Sequence, residues 1–264
     1  MRALILSDIH GNLEALQAVL AAADGLWDEL WNLGDLVGYG ASPNQVIDLV
    51  RPLESLVVRG NHDRVCAGLT SPNGFNPVAR AAALWTRAEL TPEHVEWLKS
   101  LPQGPLQPGH EAVCCAHGSP LNEDQYILSM RDAWAPLQQM NAPVTFFGHT
   151  HVQGGFSQKE HDWHEIRPQY PSAPLPAKPR TAAEPRKEPS SWAMPLPEGT
   201  RHLINPGSVG QPRDYDWRAA FAVMDTDLQV VTFHRVPYDL VASQGRILMA
   251  GLPERLAARL REGR

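Results

Sequence analysis

Up to His151 the apolar positions alternate between short β-branched or leucine-rich runs and stretches with helical spacing, the pattern of buried strands joined by amphipathic helices. Leu4–Ser7 reads as the first strand. It leads into a helix whose apolar face is Leu13, Leu16, Val19, Leu20 and Ala23, with Asn12 as its N-cap. Glu29–Leu33 and Leu56–Arg59 are the next strands, and a helix over Pro43–Val50 between them carries its proline in the first turn. Helices over Pro77–Ala88 and Pro92–Ser100, strand Ala112–Ala116, a helix over Arg131–Met140 and strand Val144–Phe147 complete this half. After His151 the alternation becomes strand-like in Val152–Ser157, Arg201–Ile204, Ala219–Met224 and Gln229–His234. This predicts antiparallel strands in a second sheet, and Leu240–Glu262 reads as a helix.

Arg167–Pro197 breaks the pattern. It runs from Pro168 and Pro171 to Pro195 and Pro197 with prolines throughout, a composition that forms neither regular helix nor central strand. The expectation is a single domain over residues 1–264 with an insertion or flap at 167–197.

Composition narrows the class. A chain of 264 residues with 43% hydrophobic and 20% charged residues can bury one large core, and no apolar run reaches the roughly 18 residues of a membrane span. The apolar run after Met1 is shorter than a secretory h-region of about 7–15 residues. Cys66, Cys114 and Cys115 are odd in number, and the adjacent pair points to opposite faces of a strand, so a reducing cytoplasm is expected. The net charge of −6 does not indicate a nucleic-acid partner, although a metal-lined cleft can be locally positive on an acidic protein.

The chemically suggestive residues sit where strands end. Asp8-Ile9-His10 follows the first strand and Gly34-Asp35-Leu36-Val37-Gly38 the second. Gly60-Asn61-His62-Asp63 offers an amide oxygen, an imidazole and a carboxylate able to orient that imidazole. Cys115-Ala116-His117-Gly118 and Gly148-His149-Thr150-His151 close two further strands. Each fragment alone is common. Their joint position is specific, because ligands of open α/β sheets bind outside the carboxyl ends of the strands.

In this order the motifs resemble those of the calcineurin-like metallophosphoesterases: D-x-H, G-D-x-x-x-G, G-N-H-D, a strand-end His-Gly and G-H-x-H. Asn205-Pro206-Gly207-Ser208-Val209-Gly210-Gln211-Pro212-Arg213 is similar to a loop of the small bacterial and archaeal phosphodiesterase branch. The resemblance implies a four-layer α-β-β-α sandwich of two mixed sheets with flanking helices. It implies one divalent ion on Asp8, His10, Asp35 and His151 and another on Asp35, Asn61, His117 and His149, with Asp35 bridging. The donor mixture favours Mn²⁺, with Fe, Zn²⁺, Co²⁺ and Ni²⁺ as alternatives. With two carboxylates and a bridging hydroxide, two divalent ions leave a charge of about +1, which suits a phosphate.

The expected activity is hydrolysis of a phosphodiester or phosphomonoester by a metal-bridging hydroxide, the two ions lying about 3.5–4 Å apart. His62 follows a ligand without being one and is the candidate general acid, with Asp63 orienting it. Asn12, Gln211 and Arg213 are weaker candidates for substrate contact. Competing readings are a phosphoprotein phosphatase, a dinucleoside-polyphosphate hydrolase, which would require a basic nucleotide pocket, and a scaffold subunit on the same fold. A complete ligand set together with His62 argues against a scaffold. His161 and His164 flank Trp163 in a strand or loop, where His-x-x-His spacing does not favour a metal site.

Overall fold

A computed structural model describes residues 1–53, 56–170 and 188–264. One sheet has six strands in the order β3 (Leu56–Val57), β2 (Glu29–Asn32), β1 (Arg2–Leu6), β10 (Ala219–Asp225), β11 (Val230–Val236) and β8 (Ser190–Pro195). The other has five: β4 (Val113–Cys115), β5 (Val144–Phe146), β9 (Arg201–Asn205), β6 (Gly154–Lys159) and β7 (Asp162–Ile166). Both sheets are mixed. Strands β1, β2 and β3 run parallel, as do β4, β5 and β9, and every other pairing is antiparallel.

The two-residue period of β1 builds the layers. Ala3 and Ile5 point into the apolar interior shared by the sheets, with Trp31, Phe146, Ile204, Met224 and Phe233. Leu4 and Leu6 point the other way, into a cluster under α1 (Leu13–Ala22) and α2 (Pro43–Val50). On the far side α6 (Met130–Gln139) packs Ala133 and Leu137 against Phe147, Phe156 and Leu203 of the five-stranded sheet. Helix, sheet, sheet, helix is the architecture implied by the sequence motifs.

Several local expectations are corrected. The strands after His151 do not form a sheet of their own: β6, β7 and β9 join β4 and β5, while β8, β10 and β11 join the first three strands. Alternation fixes which face of a strand is buried but not its neighbour. The C-terminal helix is two helices, α7 (Leu240–Met249) and α8 (Glu254–Glu262), broken at Gly251-Leu252-Pro253, where Gly251 has φ of 68°. Within the proline-rich stretch, residues 190–195 form β8 at the sheet edge, where Pro195 costs no central ladder bond. Most of the rest of that stretch, 171–187, lies outside the described residues. Strand β7 and the short α3 (Asn61–Cys66) were not anticipated; α4 (Pro77–Glu89) and α5 (Pro92–Ser100) were.

His202 on β9 is buried with neither ring nitrogen hydrogen-bonded, and burial pushes its imidazole down to about 4. The unfolded chain, with an ordinary value near 6.5, therefore takes up the proton first. The resulting loss of stability is absent above about pH 6.5 and complete below about pH 4. His202→Leu should accordingly show a smaller fall in melting temperature than the parent on acidification through that window, and identical slopes in thermal melts would contradict this.

Candidate metal centre

The loops leaving β1, β2 and β5 are held in a backbone conformation that side chains usually avoid. Asp8, His10, Asp35, His149 and His151 have φ of 54°, 50°, 56°, 66° and 62°, and Tyr39 joins them at 62°. Left-handed non-glycine residues cost about 1–3 kcal/mol each and persist where the surroundings over-determine them. Here the Asp8 N–H donates to Gly34 O at 3.0 Å and the His10 N–H to Asp35 O at 2.9 Å, stitching the first two loops together. A Cβ on Gly60 would lie 2.1 Å from Asp35 Oδ1, and one on Gly148 would lie 1.9 Å from Ser7 Oγ.

This backbone gathers two sets of donors. Asp8, His10, Asp35 and His151 offer ligand atoms within 4.8 Å of one another, as do Asp35, His117 and His149, and all are buried. Asp35 belongs to both: its Oδ2 lies 3.6 Å from His10 Nε2 and 3.4 Å from His117 Nε2. Its Oδ1 accepts the His62 backbone N–H at 2.8 Å. Asn61 Oδ1 sits 3.0 Å from His117 Nε2, beside the second set.

Hydrogen bonding fixes how the imidazoles face. Nδ1 of His10, His151 and His117 meets the carbonyls of Val37, Gln211 and Leu33 at 3.1, 2.6 and 2.8 Å. A carbonyl only accepts, so Nδ1 carries a proton in all three, and His10 and His151, whose rings burial pushes below the ordinary range, present a lone pair at Nε2. The Nε2 atoms of His10 and His151 then face each other at 3.0 Å, and His117 Nε2 faces His149 Nδ1 at 3.1 Å. Beside them Asp8 Oδ1 is buried without a hydrogen-bond partner. Converging lone pairs and carboxylate oxygens repel unless a cation lies between them, so these residues fit divalent metal ions, with the carbonyls as the outer partners that orient metal-ligating histidines.

The charge balance agrees. Burial raises the Asp35 carboxyl, yet the surrounding His117, His62 and His10 hold it well below the ordinary range. Burial lowers the His117 imidazole, but Asp35 overrides this and takes it up to about 10, a proton serving where a stronger cation would. His149 is pushed down to about 3 by burial and by His117.

His62 and Asp63 adjoin the centre differently from what their adjacency suggested. The Asp63 carboxylate accepts the backbone N–H groups of Asp35 at 2.8 Å, Gly60 at 3.0 Å and Val37 at 3.2 Å, tying two loops together rather than orienting His62. Burial and the neighbouring Asp35 push it up to about 7. His62 is oriented by rings instead: His10, Tyr39 and Phe75 pack at centroid distances of 4.9, 4.4 and 4.5 Å. Its Nδ1 is buried without a partner, and burial pushes the ring down to about 4.

Asn12 caps α1 through Ala15 N–H at 3.2 Å and donates to Gly210 O at 2.8 Å, so its amide is committed to structure. Gln211 is buried, and its Oε1 accepts from Arg213 at 3.1 Å. Arg213 lies near the centre, its backbone N–H bonded to His151 O at 3.0 Å. Phe75, Tyr39 and Tyr126, whose ring stacks on His149 at 4.0 Å, carry no motif that marked them in the sequence. His164 is exposed on β7, and His161 lies in the turn before it. Among the described residues no helix is long and apolar enough to cross a membrane.

The family model of the calcineurin-like phosphoesterase superfamily domain matches residues 1–229. The chain belongs to that superfamily. It is 39% identical to a metallophosphoesterase from Sphaerobacter thermophilus, with a TM-score of 0.81 and full coverage of both chains. An uncharacterized protein of Methanocaldococcus jannaschii is 32% identical over 98% of this chain and 97% of its own. A symmetrical bis(5'-nucleosyl)-tetraphosphatase of Glaesserella parasuis is 33% identical over 42% of each chain.

Because Gly60 touches Asp35 through backbone and carboxylate alike, Gly60→Ala should force the β2 loop away from α3 and cost about 1–3 kcal/mol. Denaturant unfolding measures this, and a variant as stable as the parent would show that the close approach is dispensable.

Proposed function

We propose that this chain is a dinuclear-metal phosphoesterase that hydrolyses a phosphodiester in preference to a phosphomonoester. The observation that carries the reading is the pair of donor sets that share Asp35 and turn imidazole nitrogens inward from both sides. Asp8, His10, Asp35 and His151 would hold one ion and Asp35, Asn61, His117 and His149 the other, with Mn²⁺ favoured by the mixture of nitrogen and oxygen donors. Such ions supply Lewis-acid activation of water and neutralise charge on the reacting phosphoryl group.

The chain's own contribution to bond cleavage is His62. Its Nδ1 lies against Gly38, where a Cβ would come within 2.5 Å, so Nε2 is the nitrogen that delivers a proton to the leaving oxygen. Burial keeps the free ring neutral at pH 7, and the negative charge of an arriving phosphate favours the imidazolium that donation requires. Asp63 acts at one remove, by fixing the loops of Asp35 and Gly60. The free cysteines, two of them buried, support a reducing compartment such as the cytoplasm. A second reading, hydrolysis of a dinucleoside polyphosphate, is favoured by the partial similarity to the tetraphosphatase.

Hydrolysis of bis-p-nitrophenyl phosphate, faster than that of p-nitrophenyl phosphate, lost on chelation and restored by Mn²⁺, is the expected result. No metal-dependent turnover of either ester would sink the assignment. His62→Asn should slow a diester with an alkyl leaving group by about 10²–10⁴-fold and the p-nitrophenyl ester by less, since p-nitrophenolate needs little protonation. Equal rates in parent and variant on the alkyl ester, with metals bound, would remove His62 from the acid role.

A further inference from the structure

A cavity of about 900 Å³ opens beside the metal centre, and three of the chain segments that wall it are joined directly to His149 or His151. Thr150 lies between the two histidines, and Val152 and Gln153 follow the second. Ile127 and Leu128 follow Tyr126, the ring stacked on His149. Arg213, whose N–H is bonded to His151 O, leads into Asp214, Tyr215, Asp216 and Trp217. None of the three rings packed on His62 borders the cavity. It therefore belongs to the His149 and His151 side of the centre, away from the acid.

Much of the wall is apolar. Phe147, Phe156 and Ile166 are buried and fixed by core packing, so this part of the space is preformed. Leu128, Val152 and Tyr215 stand exposed around it, apolar surface that contact with an apolar group would remove from water. The charged groups are mostly engaged with one another: Asp214 binds Arg235, Asp216 binds Arg218, and Glu165 binds Arg167. The Gln153 amide is taken up by Tyr170, Arg235 and backbone carbonyls. Arg213 stands at the end joined to His151, where a phosphate would bring negative charge. A phosphoryl group needs little of this volume, and cavities of such size and lining bury an organic group.

We propose that the cavity receives the ester arm that stays on phosphorus through the reaction, and that this arm is a bulky apolar alcohol. The proposal rests on the phosphoesterase reading and names the substrate class within it: a phosphodiester of one apolar alcohol, cleaved at its other ester bond on the His62 side.

A series of p-nitrophenyl alkyl phosphates tests this. Water replaces p-nitrophenolate in every member and the alkyl phosphate is released, so only the retained arm changes. From methyl to hexyl, kcat/KM should rise by about 2–4-fold per methylene. Thymidine 5'-p-nitrophenyl phosphate, whose arm is bulky but polar, should fall below the hexyl ester. Leu128→Glu and Tyr215→Glu, both at exposed positions, should each lower the hexyl-to-methyl ratio by about 3–10-fold. Calorimetric titration of the Mn²⁺-loaded protein with hexylphosphonate and methylphosphonate reads the same preference without turnover. A parent that hydrolyses none of the esters ends the hydrolase reading, while the phosphonates still decide the cavity. Equal kcat/KM across the series, a thymidine ester faster than the hexyl one, or equal binding of the two phosphonates overturns the proposal. So does a hexyl preference that both variants keep while melting like the parent.

Discussion

The carboxylate of Asp35 is a single negative charge, fully buried, facing imidazole nitrogens of two donor sets at once. Isolated in the interior, such a charge would protonate or unfold its surroundings, so everything around it serves to keep it ionised and aimed. Its own N–H is bound by Asp63, its Oδ1 by the His62 N–H, and its Oδ2 is left toward both donor sets. Strand β2 delivers it from the middle of three parallel strands, and the left-handed turn at Asp35 directs the side chain across the mouth of the sandwich. The glycines of these loops matter because backbone and carboxylate meet there at distances that leave no room for a Cβ.

The sandwich supplies what a single sheet could not. Asp8, Asp35 and Asn61 arrive from the parallel strands of one sheet, and His117, His149 and His151 from β4 and β5 of the other. The interior packed between them, from Ile5 and Trp31 to Phe146 and Phe233, sets the spacing of the two sets of loops. Ligands separated widely in sequence are therefore held to a fixed geometry by core packing rather than by their loops alone.

Much of this was legible before any coordinates. Strand ends carrying Asp, His and Asn in a fixed order announced where the donors would meet, because the chemistry needs those side chains and the parallel strands need those turns. The partners of His62 were not legible. Asp63 follows it in sequence, but the first turn of α3 sends the carboxylate to backbone N–H groups, and Tyr39 and Phe75 do the orienting from loops with no chemical motif. Sheet membership after His151 was also hidden, since a two-residue period is the same whichever neighbour a strand pairs with. The cavity beside the centre was hidden for a third reason: its walls come from stretches far apart in sequence, from Ile127 to Arg261, that only the fold brings together.

The central claim is that two ions share Asp35. Titration of metal-free protein with Mn²⁺, followed by calorimetry, measures it directly. The account predicts two equivalents bound per chain, with Asp35→Asn weakening both sites together while His10→Ala weakens one far more than the other. One equivalent in the parent, or an Asp35→Asn protein that still binds two ions with parental affinity, would contradict it.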